Sequence, residues 1–179
     1  MNKREVRAKV TEMLSAGEKK QNVFAELSGR GVKDWVLANF IASHVDPRRC
    51  IENRIHRRIV IAIAYLQVVA AILVGLHIAV DSSVTLALVF GAMALSLAAL
   101  FVWGFSKNKA GAYNAFLFLT LTQFPQQLKG FSENPVATSV GLAIAVGIIT
   151  YVGFVRYRLF PDFVFLGARK VDGQYVFSD

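Results

Sequence analysis

The sequence predicts an all-α polytopic membrane protein: a four-helix transmembrane bundle with a small helical N-terminal headpiece and a short C-terminal β-hairpin. Three observations lead there. Of the 179 residues, 55% are hydrophobic and only 18% charged, against about a quarter charged in an average soluble domain. Long stretches, Ile59 to Val80 and Ser82 to Ser106, contain no Asp, Glu, Lys or Arg. At about 1.5 Å per residue the first of these reaches roughly 33 Å, enough for a hydrocarbon core of about 30 Å.

The elements follow in order. In residues 1 to 46, the predicted headpiece, Val6, Val10, Met13 and Leu14 recur at helical spacing, and Gly17 stands where a C-cap belongs. A first helix over about residues 3 to 15 is expected. Val23, Phe24 and Leu27 continue the pattern until SGRG interrupts it, and KDWVLANFIASHV supplies a third short apolar stripe. The pattern also admits a helix-turn-helix. Only Lys33 and His44 offer a basic face over Val32 to Val45, too little for a recognition helix, so nucleic acid is an unlikely partner.

Asp46-Pro47 reads as a helix start, with Asp accepting an orphan amide and Pro giving up no needed donor. From there Ile51, Ile55 and Ile59 recur every fourth residue, which predicts an unbroken helix running from the interface into the first span. Arg54, Arg57 and Arg58 are expected to anchor its end with snorkelling stems. Glu52 and His56 stand four apart, the spacing of a helical pair.

A membrane domain is predicted over residues 47 to 158, with spans at about 59 to 80, 84 to 105, 110 to 128 and 136 to 155. DSS at 81 to 83 forces the first two to be antiparallel. The third segment is the ambiguous one. It has no formal charge but carries Asn114, Thr120, Thr122, Gln123, Gln126, Gln127 and Pro125. Residues 1 to 58 hold 13 Lys or Arg against 7 Asp or Glu, and Lys107, Lys109, Arg156 and Arg158 follow the later spans. If the third segment crosses, all these cations share one side, as the positive-inside rule asks. Four spans with cytoplasmic N- and C-termini are therefore expected.

The net charge of +8 is read as attraction to anionic headgroups, with Arg156 and Arg158 as further anchors. Small residues four apart (Ala71 and Gly75, Ala92 and Ser96, Gly141 and Ala145, Ala143 and Gly147) favour close helix packing or self-association. In the tail, residues 159 to 179, Asp172-Gly173 between Arg169 to Val171 and Gln174 to Phe177 signals one type I′ hairpin.

Little chemistry is encoded. The single Cys50 leaves no disulfide framework or cysteine-based metal site, and His44, His56 and His77 are scattered. No nucleophile elbow, zinc-protease motif, P-loop or dinucleotide loop occurs, so a non-enzymatic protein without cofactor or metal is expected. Transport is weakly supported, because no charged group interrupts a span. The polar groups that remain are Gln67, Asn114, Thr120 and Gln123 as candidate intramembrane recognition residues, and His77 with Asp81 as a candidate outer-face pair. Trp35 and Tyr175 are a candidate surface for a cytoplasmic partner.

Four spans, both ends inside and no enzyme or transport signature resemble the small inner-membrane immunity proteins that protect bacteria from membrane-acting toxins. That resemblance implies a bacterial inner-membrane location and lateral recognition of a toxin within the bilayer by the four amide and hydroxyl residues. A membrane-anchored cytoplasmic adaptor or regulator is the alternative reading, and an oligomeric channel or small transporter a third.

Overall fold

The computed structural model describes residues 1–81, 84–132, 134–164 and 167–178. In chain order the helices are α1 (Lys3–Ser15), α2 (Lys20–Leu27), α3 (Asp34–Ala42), α4 (Pro47–Glu52), α5 (Arg54–Asp81), α6 (Val84–Ser106), α7 (Ala110–Lys129) and α8 (Pro135–Leu159), with a 3-10 turn at Gly130–Ser132 before α8. Four two-residue strands follow: β1 (Phe163–Val164), β2 (Gly167–Ala168), β3 (Lys170–Val171) and β4 (Gln174–Tyr175). The chain divides into a polar unit, residues 1–52 with 156–179, and a membrane unit, residues 53–155.

Local chemistry sets the polar unit's helix ends. Asn2 and Glu5 form a capping box at the start of α1, satisfying donors that would otherwise be orphaned. Its other end is a Schellman motif: Glu18 N–H donates to Met13 and Gly17 N–H to Leu14, with Gly17 at φ 88°, a conformation glycine adopts without a Cβ penalty. The apolar faces of α1, α2 and α3 then close over a core of Val6, Val10, Val23, Leu27, Leu37 and Ile41, and Phe177 from the far end of the chain joins them. Phe24 packs its ring 5.4 Å from Tyr175 and 5.7 Å from Phe177.

Two antiparallel hairpins, β1 with β2 and β3 with β4, replace the single expected hairpin. The second turns at Asp172-Gly173, both with positive φ, the backbone a type I′ turn requires. The first was missed because Phe163 to Ala168 carries no comparable turn signal. Its residues 165 and 166 are outside the described set, and its second strand is held by Asn39, whose Oδ1 accepts from Ala168 N–H at 2.8 Å.

In the membrane unit α5 packs most extensively on α6, and α6 on α7. Phe101, Phe105, Tyr113 and Phe116 interlock between α6 and α7, with Phe105 and Tyr113 centroids 4.7 Å apart. A Cβ placed on Gly104 would collide with Ala112, so α6 and α7 approach each other closely here because residue 104 has no side chain. The pairs picked out on α8 do not play that part within the chain, since a Cβ on Gly141 or Gly147 meets nothing within 4 Å.

Three helical segments, Arg54–Leu73, Leu88–Ser106 and Pro135–Leu159, are long and apolar enough to cross a membrane. The expected four-span bundle is thus corrected to an integral membrane protein with three candidate transmembrane helices, and the location of both termini inferred from four crossings falls with it. The physical reason is α7. It is a 20-residue helix, but its amides and hydroxyls dilute its hydropathy below that of the other three. Arg156 and Arg158, in the last turn of α8, report only on that helix's end and do not make α7 apolar. Pro125 sits inside α7, which continues to Lys129 despite the missing donor at Pro125. A second correction concerns the entry helix, which is interrupted at Asn53 between α4 and α5.

Candidate functional site

The sequence-derived polar residues are dispersed. Gln67 lies on α5, and Asn114, Thr120 and Gln123 on α7. Gln67, Asn114 and Thr120 are half-buried, and Gln123 is exposed. The Thr120 hydroxyl donates to the Phe116 carbonyl at 2.8 Å, a local back-bond of the kind that satisfies hydroxyls within a helix. His77 and Asp81 belong to the last turns of α5, and their side chains lie outside the described residues. Trp35, in the first turn of α3, is 57% exposed. Tyr175 is turned inward against Phe24, with Lys170 Nζ 4.6 Å above its ring.

Among the anchoring arginines, Arg54, Arg58 and Arg158 are exposed, whereas Arg57 and Arg156 are built into the fold. Arg57 Nε donates to Asn108 Oδ1 at 2.6 Å, bracing the α6–α7 corner. Asn108 is the left-handed residue there, at φ 49°, and closes α6 in another Schellman motif. Arg156 Nη2 donates to the Phe163 carbonyl at 2.7 Å. His56 Nδ1 sits 2.9 Å from the Tyr151 hydroxyl and its ring meets Phe154 edge-on, so its observed partners come from α8.

The densest polar constellation is in the polar unit, on residues that periodicity does not select. Asp162 is 2% exposed. Its Oδ2 accepts from Lys20 Nζ at 2.8 Å, and its Oδ1 accepts from Ser178 N–H and Oγ–H, each at 2.6 Å. Burial alone would favour the neutral acid, but hydrogen bonds from Lys20 and Ser178 and the charge of Lys20 outweigh it, holding the carboxyl below its ordinary range. The sequence signal was an acid directly after Pro161, with no other charge between Leu159 and Ala168.

Beside this pair opens a cavity of about 340 Å³ lined by the α1–α2 turn, the α3–α4 corner and Ser178. Lys19, Lys20, His44, Arg48 and Arg49 contribute to its walls, with Glu18 and Asp46 as acidic neighbours. The Asp46 carboxylate accepts the Arg48 N–H at 2.8 Å, capping α4. Protonation of His44 is disfavoured by its burial and then by Lys20, with Asp46 opposing. No cluster of three or more His, Cys, Asp or Glu that could hold a metal ion occurs among the described residues.

No protein-family model matches this chain, and no curated protein and no solved structure matches it significantly.

Proposed function

We propose that the protein is a non-enzymatic, membrane-anchored adaptor whose polar unit is the binding element. The observation that carries this reading is the unit's own core, with α1 to α3 sealed by Phe177. Amphipathic helices that only rest on a bilayer bury their apolar face in lipid. Here that face is buried in protein, and the polar surface remains for a partner. Trp35, an exposed aromatic at the start of α3, is the group through which such contacts are made, because large aromatics carry much of an interface's energy.

The immunity-type reading, with a toxin recognised inside the bilayer, is favoured by one observation. Gln67 lies half-buried on the candidate membrane span Arg54–Leu73, and an amide within hydrocarbon gains by finding a partner there. Photo-crosslinking of the full chain in native membranes separates the two. The adaptor reading expects a partner captured next to position 35, lost in Trp35→Ala and kept in Gln67→Ala and Gln123→Ala. The reverse pattern supports intramembrane recognition. Capture of self-crosslinked chains alone refutes both.

A further inference from the structure

We propose that the cavity between the α1–α2 turn and the α3–α4 corner binds a phosphate-bearing anion, either a small phosphomonoester or the phosphate of an anionic lipid headgroup. This inference is independent of the adaptor reading, because it rests on the cavity alone.

Size is the first argument. At about 340 Å³ the cavity lies at the lower end of small-molecule sites, larger than bare phosphate needs and suited to phosphate carrying a short polyol. Charge is the second. Lys19, Lys20, Arg48 and Arg49 line the cavity. Lys20 is matched by Asp162 at 2.8 Å, and the Asp46 carboxylate caps α4. Counted together, the four cations Lys19, Lys20, Arg48 and Arg49 exceed the acids Glu18, Asp46 and Asp162 by one, so the site carries net positive charge however its side chains pair. Guanidinium groups offer paired donors that match phosphate oxygens.

The third argument is the state of the walls before anything binds. His44 is held toward its neutral form first by burial, which disfavours charge of either sign, and then by Lys20, whose positive field favours an anion over a second cation. The α2 N-terminus begins at the same wall, and Lys19, its cap residue, makes no side-chain capping bond. The first-turn amides there add positive potential. Connectivity bears on the source of the anion: Arg49 lies five residues before Arg54, the start of the first candidate membrane span.

The test uses the full chain in phosphatidylcholine nanodiscs. One arm titrates glycerol 3-phosphate by calorimetry. The other compares retention of phosphatidylglycerol with that of phosphatidylcholine by native mass spectrometry. Saturable binding in either arm is expected, weakened tenfold or more by Arg48→Gln and by Arg49→Gln, and unchanged or tightened by Glu18→Gln. Arg30→Gln removes an exposed charge of the same unit away from the cavity and should change binding less than twofold. Glycerol 3-phosphate binding identifies a free phosphomonoester, whereas selective retention of phosphatidylglycerol alone identifies a headgroup. Arg49 Nη1 approaches the Arg158 carbonyl at 3.5 Å, so if Arg49→Gln lowers the melting temperature, the exposed Arg48 decides. Absence of saturable binding in both arms, survival of binding in Arg48→Gln, or an equal loss in Arg30→Gln overturns the proposal.

Discussion

Removing the Asp162 carboxylate should open the polar unit. Asp162→Ala leaves the Lys20 ammonium, whose side chain is 12% exposed, without its counter-charge and takes the acceptor away from three donors. At roughly 1.5–3 kcal/mol for each hydrogen bond to a charged group, the sum would exceed what is measured when one partner of a buried pair is removed, about 3–5 kcal/mol. The smaller figure applies, because Ser178 is exposed and water takes over its donors. Hydrogen exchange reads the effect directly. Amides of α1 and α3 that exchange through opening of this unit should do so about a hundredfold to a few thousandfold faster, with α6 unaffected. Lys20→Met combined with Asp162→Leu should recover most of the loss, since an apolar pair of similar volume replaces a buried ion pair at little cost. Unchanged exchange in the single variant, or a double variant no better than the single, refutes the reasoning.

The pH response should have two stages. His44 has a folded value below its ordinary 6.5, so below that pH the unfolded chain takes up a proton the folded one resists, and stability falls. Asp162 has a folded value below its ordinary 3.8, so its contribution is complete above that pH and disappears as pH drops through the depressed value. His44→Gln should abolish the first stage and keep the second in thermal melts. Asn39→Ala removes the acceptor for Ala168 N–H and should cost about 1–2 kcal/mol, seen as faster exchange at Ala168. Gly104→Ala forces α6 and α7 apart at Ala112 and should destabilise by about 1–3 kcal/mol. Gly91→Ala, with nothing within 4 Å of the added carbon, should be tolerated.

Helical periodicity made much of the secondary structure legible. The run from Val6 to Leu14 ending at Gly17 marks α1, and Asp172-Gly173 marks a turn whose two positive φ values need those residue types. The number of spans was not legible from the charge bias. That argument constrains the ends of helices, whereas insertion depends on what lies between them, and α7 carries its amides there. The site residues were hidden for a related reason. Lys20, Asp162 and Ser178 are far apart in sequence and polar, and periodicity detects only apolar faces. Gly104 gave no small-residue pattern with a partner four residues away, because its partner, Ala112, is on the next helix.

The two-part origin of the polar unit has a consequence for biogenesis. Residues 1–52 are made before the candidate membrane helices, whereas Asp162 and Phe177 are made only after all of them. Until then the apolar faces of α1 to α3 lack their seal and Lys20 lacks its counter-ion. The half-domain therefore stays incomplete while the apolar helices are made. A chain truncated before residue 162 would lack both Asp162 and Phe177 and should be cleaved faster by added protease within residues 1–52 than the full chain.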